Sequence, residues 1–352
     1  MKISFKKGDK ILFYQPWGLG DMEMFSPVIH NFKRLFPQIR CNLICRRPVF
    51  TLMKDYPWVE RIHILPAADN RTLKNIISII STVRAEKYKL IFPATRITLN
   101  YMDNILTRTS GAKYKVGNLR GNPLWDRFDC GCRLDSSIHR VEQNRQLFEA
   151  VMGNEADFEY KFYNPSTPDA EKNADKKLNG INFADKPMLG VHLGCDIKNK
   201  FKQWPLPRYY KLFEGFLSDF NEARILLFTG PGEEYTTKGL PDSERTAIIK
   251  EELDVVSALL SKCSLVLTND SGMGHIARAV NVPVLSIMGP GSITETKPYG
   301  VDGHVIAVEP RLDCMPCLPG RPTCDGKYPC INNLSVETVR DKLYPLWEKY
   351  TG

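Results

Sequence analysis

Gly18-Leu19-Gly20-Asp21 stands where a short apolar run gives way to an amphipathic one, the junction at which a strand hands over to a helix. Free backbone N–H groups and the positive end of the helix dipole suit an anion there, and glycine lets a ligand come close to the main chain. Position 23 is Glu, so Gly-x-Gly-x-x-Gly is not completed and a dinucleotide fingerprint fails. Asp21 has two readings: a cap for the helix that follows, or a catalytic carboxylate at the carboxyl edge of a sheet, where open α/β folds place ligands. A second group, His192-Leu193-Gly194, ends another apolar run, and Lys202-Gln203-Trp204-Pro205 precedes a long amphipathic helix. Lys202 can offset the charge of a diphosphate leaving group, or it is one solvated lysine among Lys198, Lys200 and Lys202; Trp204 reads as core.

The strongest local signal runs from Leu265 to His275: a buried strand, the polar turn Asn269-Asp270-Ser271, then a helix. Asp270 or Ser271 can cap that helix, while Gly272 permits a tight turn and leaves N–H groups open to phosphate oxygens. His275 is either a satisfied histidine packed one turn into the helix or a ligand contact. Gly289-Pro290-Gly291-Ser292 adds a second small-residue loop on the same sheet edge. Farther on, Cys314, Cys317, Cys324 and Cys330 put four sulfurs within 17 residues. They can reach one tetrahedral ion, a structural Zn or Fe, or form two disulfides, or stay as free thiols.

These groups need a scaffold, and the chain alternates strand and helix patterns throughout. Strand-like runs cover Lys10 to Tyr14, Cys41 to Arg46, Arg61 to Leu65 and Tyr88 to Phe92. Helical patterns cover Asp21 to Phe36, Ser137 to Val151, and Arg71 to Glu86, where Leu73, Ile76, Ile77, Ile80 and Val83 share one face. Beyond a polar stretch between Asn164 and Pro187, read as a linker, a second alternation begins. Strands are expected at Met188 to Leu193, Ala223 to Thr229, Ser264 to Thr268 and Pro283 to Met288. Helices are expected at Pro207 to Phe220, Leu253 to Ser261, Gly272 to Val280 and Val336 to Trp347. Such alternation implies two parallel sheets covered on both faces, an α/β protein of two doubly wound domains. The expected boundaries are 1–165, 186–334 with the cysteine cluster, and a terminal helix over 335–352. Asn100 to Arg133 is turn-rich and carries no assignable motif.

With 352 residues, 43% hydrophobic and 25% charged, the chain has the size and composition of two globular domains. No apolar run approaches the roughly 18 to 20 residues that span a bilayer. Lys2, Lys6, Lys7 and Lys10 make the start basic, but Gln15-Pro16 interrupts the apolar run too early for a secretory signal, so the expected compartment is the cytoplasm. A net charge of +8 favours anionic partners. Arg and Lys are dispersed rather than gathered in an aromatic-interleaved strip, which argues against nucleic acid.

Taken in order, Gly20-Asp21 with Pro27 six residues later, His192-x-Gly194 before Lys202-x-Trp204-Pro205, and Asn269-Asp270-Ser271-Gly272-x-x-His275 before Pro283 and Gly289-Pro290 resemble glycosyltransferase family nine, the bacterial heptosyltransferases. The motifs span most of the chain, and the late cysteine pattern is similar to a segment found in many members. The resemblance implies the GT-B architecture, with two Rossmann-like domains facing a cleft and the donor nucleotide held mainly by the second. It further implies inverting transfer of a sugar from a nucleotide-sugar donor to a glycan hydroxyl, with no catalytic cofactor or metal. Asp21 matches the family's proposed general base, with Gly18 and Gly20 in the acceptor-side loop. Lys202 matches its donor-phosphate lysine, and Asp270, Ser271, Gly272 and His275 its donor-binding turn, with His192 and Gly194 beside them. ADP-heptose is the first donor to expect, a lipid-linked glycan of the lipopolysaccharide core the acceptor, and an anionic membrane at the inner face the peripheral contact. Cys195 and the stretch Asp196 to Lys200 depart from the small hydroxyl-rich loop often seen after His-x-Gly, and Met273-Gly274 fills the variable pair. A nucleotide-sugar epimerase of the same architecture would isomerise the donor without an acceptor, and a non-catalytic sugar-binding protein would bind it without transfer.

Overall fold

Apolar runs too short for helices, such as Ile11 to Tyr14 and Leu265 to Thr268, are what strands buried on both faces of a parallel sheet require. A computed structural model of the chain shows them so. It describes all residues except 1–2, 67–71, 96–100, 120, 122–125, 134, 154–155, 196, 241–243 and 318–323, and the side chains of 101–104 and 197–199 also lie outside the description. Arg71, expected to open a helix, and Asp196, in the departure after Gly194, are therefore outside the described residues.

The chain divides into two units, Met1–Tyr163 and Asn164–Gly352. In the first, β1 (Lys10–Gln15), α1 (Leu19–Leu35), β2 (Arg40–Cys45), α2 (Arg47–Met53), β3 (Arg61–Ile64), α3 (Leu73–Ala85), β4 (Leu90–Pro93), α4 (Tyr101–Thr109), β5 (Tyr114–Leu119), β6 (Cys130–Arg133) and α5 (Arg140–Met152) follow in order. The strands form one parallel sheet in the order β3-β2-β1-β4-β5-β6.

The second unit runs α6 (Pro168–Gly180), β7 (Met188–His192), α7 (Leu206–Asp219), β8 (Arg224–Phe228), β9 (Thr246–Ile249), α8 (Leu253–Leu260), β10 (Leu265–Asn269), α9 (Gly272–Ala279), β11 (Val284–Ile287), α10 (Ile293–Thr296), β12 (Gly303–Ile306), α11 (Pro329–Asn332) and α12 (Val336–Thr351). Its sheet, again all parallel, has the order β12-β11-β10-β7-β8-β9. Counted from each unit's own first strand, both orders are 3-2-1-4-5-6, the doubly wound arrangement in which strand order reverses between the first and fourth strands. The crevice at that reversal is where such sheets take ligands. Here it lies between β1 and β4 in one unit and between β7 and β10 in the other.

The core of the second unit forms as the periodicity predicts. Tyr209, Leu212, Phe213, Phe216 and Leu217 bury one face of α7. Val339, Leu343 and Trp347 of α12 pack on it, with the Trp347 ring edge-on to Phe216 at 4.9 Å. The polar stretch after Asn164 is a helix rather than a linker. Thr167 caps α6 by accepting from the Ala170 N–H, and Ala170, Ala174 and Leu178 are buried; the helix packs on α8. Its buried face is made mostly of alanine, so the sequence shows no strong stripe. Helix α3 departs in the opposite sense: of the five apolar residues expected on its buried face only Val83 is fully buried. Among the described residues no helix is long and apolar enough to cross a membrane.

Glu23 occupies the place of the third glycine in the failed dinucleotide pattern, where a helix packs closely on its strand. It is 1% exposed, and neither carboxyl oxygen finds a hydrogen-bond partner among the described residues. Burial pushes its pKa well up. The folded chain then holds a proton that the unfolded chain releases above about pH 4.3, so stability falls by ~1.4 kcal/mol per pH unit from there until the folded pKa is passed. Glu23→Gln removes that slope. Urea midpoints measured upward from pH 5 should show the variant gaining on the wild type until the folded pKa of Glu23 is passed; parallel curves from pH 5 would mean Glu23 is ionised and partnered.

Candidate active-site residues

In the first unit the loop after β1 is stitched by one amide side chain. The Trp17 N–H donates to Gln15 Oε1 at 3.3 Å, and Gln15 Nε2 donates to the Gly18 carbonyl at 3.4 Å. Gly18 is the N-cap of α1, in extended backbone, and Gly20 is buried within the first turn. Asp21 Oδ2 accepts from the Gly18 N–H at 3.3 Å, so the capping reading describes a real contact. The other oxygen, Oδ1, lies 3.6 Å from Nη1 of Arg140, a buried residue that opens α5. About a quarter of the Asp21 side chain is exposed, 25%, at the carboxyl edge of the sheet. Asn144 fixes this geometry from behind. Its Oδ1 accepts from the Thr95 N–H and hydroxyl at 3.0 and 2.7 Å, while its Nδ2 donates to the Met24 carbonyl at 3.0 Å. These bonds tie the end of β4, α1 and α5 together, and so hold Asp21 and Arg140 in register.

The second unit gathers more of the expected residues. Asn269, fully buried at the end of β10, is the hub. Its Oδ1 accepts from the Trp204 N–H at 3.0 Å and the Tyr209 hydroxyl at 2.8 Å, and its Nδ2 donates to the Leu193 carbonyl at 2.8 Å. Gln203 Nε2 reaches the same carbonyl at 2.6 Å. Trp204 is core, with its indole N–H on the Leu334 carbonyl. This web pins a 3₁₀ turn, Ile197–Lys202, beside the β7 and β10 strand ends. Lys202 Nζ there donates to Asp270 Oδ2 at 2.6 Å, an ion pair whose acid is only 8% exposed. Gly291, in the loop after β11, leaves room for it, because a Cβ there would collide with Asp270 Oδ2.

A hydrogen-bonded chain runs along the same edge. His192 Nε2 lies 3.1 Å from Glu233 Oε2 and Nδ1 lies 3.2 Å from Ser271 Oγ, which is 3.0 Å from Thr268 Oγ1. Nε2–H donates to the carboxylate, and Nδ1 either accepts the Ser271 hydroxyl or, when it carries a proton, donates to its oxygen. The Gly230 N–H also donates to Glu233 Oε2, at 2.7 Å. Burial alone would raise the Glu233 pKa; the His192 hydrogen bond and charge and the Gly230 N–H outweigh it and hold the group below its ordinary value. Gly194 leaves room beside it, since a Cβ there would displace the Glu233 carboxylate from this position.

The expected cap on α9 is not formed. Ser271 is its N-cap residue, but no side chain caps the helix, because Ser271 spends its hydroxyl on His192 and Thr268 and Asp270 turns to Lys202. No side chain therefore caps the first turn of α9, and the Lys202 ammonium is paired with Asp270, two residues before the helix begins. His275 is buried one turn further in. No motif marked Arg140, beside Asp21 in the first unit, or Glu233, beside His192 in the second, whereas Gly291 lies in the Gly289-Pro290-Gly291-Ser292 loop that the sequence singled out. The signal for Glu233 was positional: it follows β8 by a few residues, on the edge where the other loops carry function.

A family model described as glycosyltransferase family 9 (heptosyltransferase) matches residues 105–324, well over half of the chain. The chain belongs to glycosyltransferase family 9. It is accordingly a glycosyltransferase, and its two doubly wound units are the Rossmann-like domains of the GT-B architecture. Among relatives, it is 23% identical to lipopolysaccharide heptosyltransferase 3 of Escherichia coli K12, over 77% of this chain and 79% of that protein. It is 27% identical to lipopolysaccharide heptosyltransferase 2 of the same strain, over 84% of this chain and 87% of that one. The solved structure of E. coli ADP-heptose lipopolysaccharide heptosyltransferase II superposes with a TM-score of 0.73 at 18% identity, covering 97% of this chain and all of that one.

Of the three readings open for the late cysteines, the structure shows free thiols. All ten cysteines of this family 9 enzyme are free thiols, so the two disulfides are not formed. Among the described residues no group of three or more His, Cys, Asp or Glu is placed to hold a metal ion, so a structural Zn or Fe at Cys314, Cys317, Cys324 and Cys330 is not supported. Burial and the neighbouring thiols push Cys330 up to about 11 and raise Cys317. The segment is held by other means. The Cys317 N–H donates to the Pro290 carbonyl at 2.8 Å, Arg208 Nη1 donates to the Asn332 and Leu334 carbonyls, each at 2.6 Å, and Cys330 and Ile331 pack under Gly289.

Proposed function

We propose that this enzyme transfers heptose from ADP-heptose to a hydroxyl of a lipid-linked glycan in lipopolysaccharide core assembly, inverting the anomeric carbon without a catalytic metal. The observation that carries the reading is the open start of α9 beside Lys202, an anion site at the reversal point of the second sheet. Lys202 has three N–H donors; one goes to Asp270, and the others suit the oxygens of a diphosphate. Asp270 is itself an anion and cannot take phosphate directly, so its part is to aim the ammonium. Glu233, an acceptor-only carboxylate on the same edge, suits donor hydroxyls, and His192 with Ser271 fixes it.

Asp21 supplies the base. When the acceptor hydroxyl attacks the anomeric carbon, the C–O bond to the diphosphate breaks on the opposite face, Asp21 takes the hydroxyl proton, and the configuration inverts in one step. Lys202 and the α9 amides supply the positive charge that the departing diphosphate needs. The heptose and the lipopolysaccharide acceptor are supported by the likeness to relatives named lipopolysaccharide heptosyltransferases, and the adenine by the similar structure whose name prints ADP-heptose. An acceptor of that kind places the enzyme at the cytoplasmic membrane face.

A thermal-shift panel of ADP-, GDP-, UDP- and CMP-sugars tests the donor. ADP-heptose at about 100 times its Kd should stabilise the protein by ~2.7 kcal/mol, a shift of several degrees that the other nucleotides do not match. NMR of the transfer product then reads the anomeric configuration. Isomerised donor in the absence of acceptor would instead mark an epimerase, and tight binding without transfer a sugar-binding protein.

A further inference from the structure

Helix α3 reads Leu-Lys-Asn-Ile-Ile-Ser-Ile-Ile-Ser-Thr-Val-Arg-Ala and contains no Asp or Glu; its only charges are Lys74 and Arg84. Ile79 and Ile80 pack partly against the core cluster of Leu12, Tyr14 and Val83. On the outer side, Leu73 is 74% exposed and Ile77, one turn on, 56%. Ile105, on the adjoining α4, is 43% exposed, and these are three of the seven large hydrophobic residues exposed among the described residues. The rest of the outer face is neutral hydroxyl, Ser78, Ser81 and Thr82, flanked by exposed Lys74, Arg84 and Lys87. Nearby Glu86 is neutralised by Lys10 and Arg61.

A surface helix bathed in water normally carries acids and lysines on its outer face. An outward apolar strip with hydroxyl and cationic flanks suits the headgroup layer of a bilayer, where the apolar side chains enter the acyl boundary and the cations meet anionic lipid. We propose that the outer face of α3 seats this enzyme on an anionic lipid surface. A second copy of the chain is a poorer occupant, because a two-fold contact through this face would bring Lys74, Arg84 and Lys87 against their own equivalents. The inference rests on the reading of a lipid-linked acceptor, for which a lipid-seated enzyme meets its substrate in the plane of the membrane.

Flotation of the full chain with phosphatidylcholine vesicles, with and without phosphatidylglycerol, at low and physiological salt, tests it. The wild type should float with the anionic vesicles. Leu73→Ser/Ile77→Ser should lower the partition by about tenfold or more, since each residue loses apolar burial. Lys74→Gln should lower it about fivefold, and only with the anionic vesicles. All three positions are exposed, so transfer to a soluble, lipid-free acceptor fragment should be unchanged. Undiminished flotation of the double variant, equal binding to neutral vesicles, or a drop in the mass of the wild-type particle caused by the double variant would each overturn the proposal. Absence of transfer by the wild type to the soluble acceptor would instead overturn the functional reading, whatever the vesicles show.

Discussion

Asp21→Asn lowers the turnover of sugar transfer by about 100 to 10,000-fold and leaves donor affinity near that of the wild type, as expected when a general base is lost. Asparagine is the informative substitution because Asp21 has two contacts. Its Oδ2 accepts from the Gly18 N–H, and an amide oxygen preserves that cap. Asp21→Ala removes cap and base together and should add about 1 kcal/mol of destabilisation through the lost cap. Removing the carboxylate also takes one counter-charge from buried Arg140. The two variants should therefore be alike in turnover and unlike in stability. Calorimetry with the donor, transfer rate at saturating acceptor and a thermal melt separate the cases. Near-normal turnover in Asp21→Asn would leave Asp21 as a helix cap and remove the base from the mechanism.

The scaffold was legible because the sheets are parallel and central. β1, β7 and β10 lie inside their sheets, so each is a nearly continuous apolar run followed at once by glycine or a polar turn, and the loops that matter follow those strands. The β5–β6 end of the first sheet carries no such run. β5 and β6 contain Gly117 and Gly131, where a Cβ would strike the Phe128 ring and the Gly117 carbonyl, so their packing depends on missing side chains that no hydropathy pattern displays. In α6 alanine does the same.

Within the site, residues in a strand-loop-helix context could be found and lone partners could not. Arg140 lies more than a hundred residues from Asp21, and nothing around it marks an arginine that faces a carboxylate. Composition also misled in one place: a helical stripe predicts a buried face, yet that of α3 is half outside the core, because the period reports which residues share a side and not what covers it. The four late cysteines left ligation, pairing and free thiols open, since spacing in sequence sets only which sulfurs can meet, and their segment is anchored through Pro290, Trp204 and Arg208.

Lys202→Ala should fail differently from Asp21→Asn, losing donor affinity as well as turnover. Lys202 is argued to bind the diphosphate in the ground state and more strongly as charge builds on the leaving oxygen, so its removal should cost about 100 to 1,000-fold in turnover, the range for one positioned oxyanion donor. A tenfold or greater loss of donor affinity, about 1.4 kcal/mol, should accompany it. The variant also leaves Asp270 almost buried without its cation, a penalty on the order of 1–3 kcal/mol in stability that could be mistaken for loss of function. The double variant Lys202→Ala/Asp270→Asn removes that stranded charge. It should recover most of the stability of the fold and none of the donor affinity, whereas Asp270→Asn alone should keep an ammonium that is present but poorly aimed, with intermediate affinity. Melting temperatures and donor calorimetry on the four proteins close the cycle. If the double variant binds donor as the wild type does, Lys202 serves the fold of the loop after β7, and the leaving diphosphate is met by the α9 amides alone.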